Sequence, residues 1–292
     1  MTYTTQGHQH GVGLEIFLKS IHLNNFKLEN HILICFQESL EETLKTLDFK
    51  YSIKDDHLQL EQHVLKLEII KKTQNTETVD CLLRALKLAN EDDIIHTLPS
   101  SKDQFKYQEK TFKGHTDFFT DYFGRNIAMS FLGPNSNFLL LTDHIAIDEV
   151  YSKLKELDLE KKIKETINGF PSSRKIQTLH FAGINPHIGE DGIISSQDQL
   201  IKDLAAKFNG SIHSGDTMHF HIKDKSQLFI YPFHDQGLGV FKALYGLRGI
   251  NFSANLPIKR VSVDHGTAFD LYGKNCADIE GMNFLLSEIE KW

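Results

Sequence analysis

The chain has 292 residues, 40% of them hydrophobic and 24% charged, which suffices for one large domain or two moderate ones around a full core. Its formal net charge of -7 argues against a general nucleic-acid binder, while leaving room for a local basic pocket that takes a phosphorylated small molecule. No apolar stretch approaches the roughly 18 residues of a membrane span, the segment from Met1 to Gly13 has no basic region followed by an apolar one, and Cys35, Cys81 and Cys276 give no disulfide framework, so the expected compartment is the cytoplasm.

His31 to Phe36 reads as a strand, Glu38 to Leu47 as a helix and His63 to Ile70 as another strand. Thr76 to Ala89 carries Val79, Leu82, Leu83, Leu86 and Leu88 at helical spacing, and Asp93 to Leu98 returns to a strand-like run. Ile127 to Phe131 and Asn137 to Thr142 flank a Gly, Pro and Asn-rich turn, which predicts an antiparallel hairpin. Ile147 to Ile167, rich in Lys, Glu and Leu, reads as one long amphipathic helix or a helix pair with a solvated charged face. Lys175 to Gly183 follows as a strand, Ser195 to Phe208 as a helix capped by Ser195 or Ser196, and Ala277 to Trp292 as a closing helix. Helices and strands alternate, which predicts a layered α/β fold with a mainly parallel sheet.

His144, His187 and His234 each sit just past a short apolar run: Leu139 to Thr142, Leu179 to Gly183 and Leu228 to Tyr231. Open α/β sheets bind ligands at the carboxyl ends of their strands. Three imidazoles gathered there would make a metal site with positions left open for water or substrate. Their wide separation matches no local metal signature, and among 16 histidines a set of ordinary hydrogen-bonded residues fits the same placement.

Four segments go beyond generic α/β sequence: Gly114 to Phe119 (GHTDFF), Gly183 to Gly192 (GINPHIGEDG), Phe233 to Gly237 (FHDQG) and Ser262 to Asp270 (SVDHGTAFD). In order and spacing they resemble the 4-hydroxythreonine-4-phosphate dehydrogenase family of pyridoxal phosphate biosynthesis, across nearly the whole chain. The resemblance implies a three-layer α/β/α subunit of the isocitrate and isopropylmalate dehydrogenase type, with two subdomains and the active site in the cleft. It places the first subdomain at residues 1–128 and 253–292 and the second, with the metal ligands and dimer interface, at 129–252. It also implies a homodimer with shared active sites, a nicotinamide cofactor (NAD, with NADP the alternative) and a divalent metal such as Zn, Mg, Co or Mn.

Matched residue by residue, the resemblance makes His144, His187 and His234 the metal ligands. It assigns substrate contacts to His115, Thr116, Lys242, Asn251 and Arg260, a set whose imidazole, hydroxyl and cations suit phosphate or carboxylate oxygens. Asp216, Asp235 and Lys242 are its catalytic candidates. An aspartate near a metal either orients a ligand histidine or relays the substrate's proton, and for Asp216 a turn role after Gly215 stands beside these. The stretch His265 to Asp278 resembles the cofactor loop of the wider superfamily, which points to His265, Gly266, Thr267, Ala268 and Asp278; no GxGxxG fingerprint is present.

The implied reaction is NAD-linked oxidation of 4-hydroxythreonine 4-phosphate, then decarboxylation to 3-amino-2-oxopropyl phosphate. Alternatives are the same chemistry on 4-phosphothreonate or another hydroxy acid, and a metal-binding relative without turnover. One departure bears on the choice. Where the family reads GDPAGIGPE, this chain reads GHQHGVGLE from Gly7 to Glu15, with His8, Gln9 and His10 replacing an acidic residue, a proline and an alanine. The run Pro99 to Lys102 matches the family's proline and lysine loop only loosely.

Overall fold

A computed structural model describes residues 1–91 and 93–292. The chain divides into two compact units, the first formed by Met1–Arg125 with Leu256–Lys291 and the second by Asn126–Asn255 with Trp292.

In chain order the first unit contains β1 (Thr2–Thr5), α1 (Gly13–Leu23), β2 (His31–Cys35), α2 (Gln37–Leu47), β3 (Tyr51–Lys54), β4 (His57–Leu60), β5 (His63–Ile69), α3 (Glu77–Leu88), β6 (Ile94–Thr97), β7 (Lys106–Tyr107), β8 (Lys110–Thr111) and α4 (His115–Phe123). The second contains β9 (Ala128–Leu132), β10 (Asn137–Leu140), α5 (Val150–Glu156), α6 (Leu159–Gly169), β11 (Thr178–Ala182), α7 (Gln199–Lys207), β12 (Ser211–His213), β13 (Gln227–Tyr231), α8 (His234–Tyr245) and β14 (Ile250–Ala254). The chain then returns to the first unit with β15 (Lys259–Val263) and α9 (Glu280–Ile289).

Strand order in the first unit is β15-β6-β1-β2-β5-β4-β3. The pairs from β15 to β5 are parallel, and β5, β4 and β3 form an antiparallel meander. β2 shows why the centre is parallel: all of HILIC is buried, as befits a strand covered on both faces. One face packs Tyr3, Ile32, Ile34, Ile95 and Ile258 against Cys81 and Ala85 of α3. The other buries Thr4, whose hydroxyl lies 2.5 Å from His31 Nε2 and 3.0 Å from His96 Nδ1. Burial, the largest cause, drives the His31 pKa down to about 3 and holds His96 well below its usual value.

The second unit runs β12-β11-β13-β10-β9-β14, parallel as far as β10 and antiparallel beyond it. Its core is aromatic: Phe138 lies 5.7 Å from Phe229, 5.0 Å from Tyr231 and 5.3 Å from Phe241 between ring centroids. The predicted β9–β10 hairpin forms, and buried Arg174 fastens its turn by donating to Gly133 O and Asn137 Oδ1, each at 2.9 Å. The Lys and Glu-rich segment resolves into the pair α5 and α6.

One expectation needs correction. The helix read from Ser195 begins at Gln199, and neither serine caps it. Ser195 Oγ instead accepts from Gln197 N at 3.2 Å, which ties up the preceding turn.

Candidate active site

In the second unit β11, β13 and β10 are adjacent and parallel, so the loops after Ala182, Tyr231 and Leu140 leave from the same end of the sheet. These loops carry His187, His234 and His144. His234 opens α8, while His144 sits in a left-handed conformation with φ 46°. Their ring centroids are 5.4 Å apart. His234 Nδ1 donates to Asp235 Oδ1 at 2.7 Å, which orients the ring and leaves Nε2 outside this bond. That pairing is the usual support of a metal-bound imidazole.

His187 lies in a backbone of unusual handedness. Residues His187, Ile188, Gly189, Glu190 and Asp191 all have positive φ, and a Cβ on Gly189 would fall 2.2 Å from Ser195 O. Each non-glycine residue there costs on the order of 1 kcal/mol, so neighbouring bonds must hold the turn. Buried Asp198 does so by accepting from Ile184 N at 2.7 Å and Asn185 Nδ2 at 2.8 Å. Gln236, in the first turn of α8, adds a bond from Nε2 to Gly183 O at 2.8 Å. Neither residue stood out in the sequence, although Gln236 falls within the FHDQG segment.

Asp216 follows β12, and its pKa is lowered first by the Ser214 hydroxyl and also by the charge of His187. His187 and Asp216 are thus neighbours. Among the described residues, no three His, Cys, Asp or Glu side chains group closely enough to hold a metal ion. One chain therefore brings His144 and His234 together but does not add His187 to them. Lys242 lies about two turns beyond His234 on α8, and Asn251 on β14 buries its Oδ1 without a hydrogen bond.

A second group of imidazoles went unread in the sequence. His180 Nδ1 and His213 Nε2 are 3.1 Å apart, and the rings of His213 and His221 stack at 3.8 Å. Burial first, then the charges of His213 and His221, lower the His180 pKa to about 4.

The first unit repeats the strand-end arrangement with different chemistry. β15, β6 and β1 are adjacent and parallel, and the loops after them meet through backbone. His8 N donates to Pro99 O and Val12 N to Thr267 O, both at 3.0 Å. Gly7 is obligatory at this point, because a Cβ would lie 2.0 Å from Pro99 O. The divergent turn therefore packs on the candidate cofactor loop: His8 lies 4.8 Å from the Phe269 ring and His10 5.4 Å from that of Tyr272. His8 Nε2 also comes within 3.5 Å of Asp103 Oδ2.

Along that loop His265 Nδ1 donates to Gly266 O at 3.0 Å, Thr267 is buried and Ala268 takes φ 44°. Asp278 accepts from Glu280 N at 2.8 Å at the start of α9. His115 and Thr116 occupy the first turn of α4, where exposed backbone N–H groups favour an anion. The His115 ring meets Phe105 edge-on at 4.7 Å, and its Nε2 is buried without a partner. Burial and then the charge of Arg260 hold its pKa well below the usual value, so the imidazole is neutral. Arg260, buried on β15, donates to Thr97.

Residues 18–284 match the family model described as pyridoxal phosphate biosynthetic protein PdxA. The chain belongs to the PdxA family. The match begins beyond the divergent Gly7–Glu15 turn. A PdxA relative from Sulfurimonas denitrificans, named 4-hydroxythreonine-4-phosphate dehydrogenase, is 30% identical over 297 residues, covering 97% of this chain and 95% of its own. A protein from Oceanobacillus iheyensis, whose name of D-threonate 4-phosphate dehydrogenase is itself provisional, is 28% identical over 95% of this chain and 93% of its own. The crystal structure of 4-hydroxythreonine-4-phosphate dehydrogenase from Klebsiella pneumoniae shares the fold with a TM-score of 0.75 at 21% identity, covering 99% of this chain and 98% of that one.

Proposed function

We propose that this PdxA protein oxidises 4-hydroxythreonine 4-phosphate with NAD and that the product loses carbon dioxide to give 3-amino-2-oxopropyl phosphate. The observation that carries the reading is the imidazole pair of His144 and His234, with Asp235 on the remote nitrogen of His234. Two imidazoles with this support suit a divalent cation. In the proposed homodimer, His187 of a second copy of the chain completes the ligand set.

A divalent metal held by these imidazoles would supply Lewis-acid chemistry, favouring loss of the substrate's hydroxyl proton and then of carbon dioxide. A nicotinamide held by the stretch from His265 to Asp278 would supply the hydride acceptor. The protein's own residues position the substrate and move its proton. His115, Thr116 and Arg260 hold the phosphate, with His115 neutral and able to donate a hydrogen bond. Lys242 and Asn251 hold the polar end of the substrate, Asn251 through a carbonyl oxygen that lacks a bond of its own. Asp235 orients His234, and Asp216 is the acceptor for the hydroxyl proton. Residues His265 to Ala268 and Asp278 take the dinucleotide.

The test is NADH formation from 4-hydroxythreonine 4-phosphate across a series of divalent metals, with metal content measured on the same samples. A second reading keeps the chemistry and changes the substrate to D-threonate 4-phosphate. It rests on the Oceanobacillus iheyensis relative and on the His8 to His10 departure. Faster NADH formation from that compound would replace the first substrate with the second. Metal binding with no turnover on either would leave a ligand-binding relative.

A further inference from the structure

We infer that Thr97 is the positioning residue that sets the strength of the phosphate site by holding the guanidinium of Arg260. The inference deepens the proposed function, since it rests on Arg260 being a phosphate contact. Thr97 is the last residue of β6, and Arg260 lies on the neighbouring strand β15, where its backbone pairs with Ile95. Side chains two residues apart on a strand point to the same face, so the Thr97 hydroxyl and the Arg260 side chain are directed to one side of the sheet. Arg260 Nε donates to Thr97 Oγ1 at 3.1 Å and Arg260 Nη2 donates to the same oxygen at 2.7 Å. The hydroxyl proton points elsewhere, to Val261 O at 3.4 Å. Thr97 is fully buried and Arg260 nearly so.

One hydroxyl thus takes two of the five guanidinium N–H groups and is itself oriented by the backbone of β15. A guanidinium has a fixed planar fork, so fixing the Nε and Nη2 edge fixes the direction of the remaining N–H groups. Preorganised in this way, the side chain loses little freedom when an anion arrives. Without the hydroxyl, the bonds from Nε and Nη2 to this oxygen are lost and that edge of the fork is held less firmly. Thr97 itself would not touch the substrate. Its removal should weaken binding and leave the chemical step alone.

The measurements are the affinity for inorganic phosphate by calorimetry, KM and kcat with 4-hydroxythreonine 4-phosphate, and the melting temperature, on the full chain. Thr97→Val keeps the size and β-branch and removes the acceptor. It should weaken phosphate binding and raise KM by about tenfold, with kcat within about twofold. Thr97→Ser restores the hydroxyl and should return both constants to within about threefold of the parent. If Thr97→Val does not fold, Thr97→Cys, of similar size and with only a weak acceptor, takes its place with the same expected loss. Arg260→Ala separates the role of Thr97 from that of Arg260. If Arg260→Ala weakens phosphate binding and Thr97→Val does not, the role of Thr97 is overturned and that of Arg260 stands. If Arg260→Ala binds phosphate as the parent does, the phosphate reading of Arg260 falls and the inference falls with it. A fall in kcat with unchanged KM in Thr97→Val, or a Thr97→Ser variant as weak as Thr97→Val, would also overturn it.

Discussion

The two units solve one positioning problem by different means. In each, three loops leave the carboxyl ends of adjacent parallel strands, β15-β6-β1 in the first and β11-β13-β10 in the second. The first unit binds its loops together through main-chain bonds such as His8 N to Pro99 O and Val12 N to Thr267 O, and through a glycine that admits no side chain. The second uses side chains, with Asp198 and Gln236 pinning a left-handed turn and Asp235 pinning His234. Backbone packing makes a site insensitive to most substitutions and intolerant of bulk. Side-chain pinning leaves the geometry dependent on a few identities.

The contrast predicts where each unit breaks. Replacing His144 or His234 with Ala should lower turnover by at least about a hundredfold, the upper end of what losing an outer partner alone costs. The melting temperature should barely move, and a large drop would mean that the pair is structural. Asp235→Asn should cost about 10- to 100-fold in metal affinity, read by titrating the metal-free protein. An unchanged affinity would mean that His234 does not depend on that carboxylate.

Stability measurements sharpen the comparison further. Gly7→Ala drives a methyl into Pro99 O and should cost about 1–3 kcal/mol in denaturant unfolding. Asp198→Ala strips the acceptor from partly buried amides and should cost about 1–3 kcal/mol as well, with a loss of activity that Asp198→Asn only partly restores. If either variant is as stable as the parent, the corresponding loop is held by other bonds.

The smallest effect is the response to acid. The His180 pKa falls from its ordinary value of 6.5 to about 4 in the fold. The unfolded chain therefore takes up that proton first. The contribution is intact above pH 6.5 and is lost as pH falls toward 4, where the partial exposure of the ring weakens it. His31 behaves in the same sense over a wider window, from 6.5 down to about 3, and is fully buried. His31→Phe should flatten the acid limb of the melting profile more than His180→Phe does.

The parallel strands of the centre were legible because buried runs such as HILIC carry their own signal. β1 was not, since TYTT has no apolar run and owes its central place to neighbours on both sides. β12 is only three residues long. The histidines at strand ends were visible as positions, but which strands lie side by side is set by long-range pairing that no local pattern encodes. The left-handed run at His187 was hidden for a related reason, because it is imposed by bonds from Asp198 and by packing at Gly189. The His180, His213 and His221 stack escaped notice because its members meet only once β11 and β12 pair.

That the first unit is assembled from two segments widely separated along the chain has a consequence for its biosynthesis. As the polypeptide leaves the ribosome, β1 to β6 are complete long before residues 259–263 exist, so β6 waits with one edge unpaired. Until β15 docks, Thr97 has no guanidinium to hold. The pairing of β15 with β6 is also what brings Arg260 to Thr97, so that contact cannot form before residue 260 has been made.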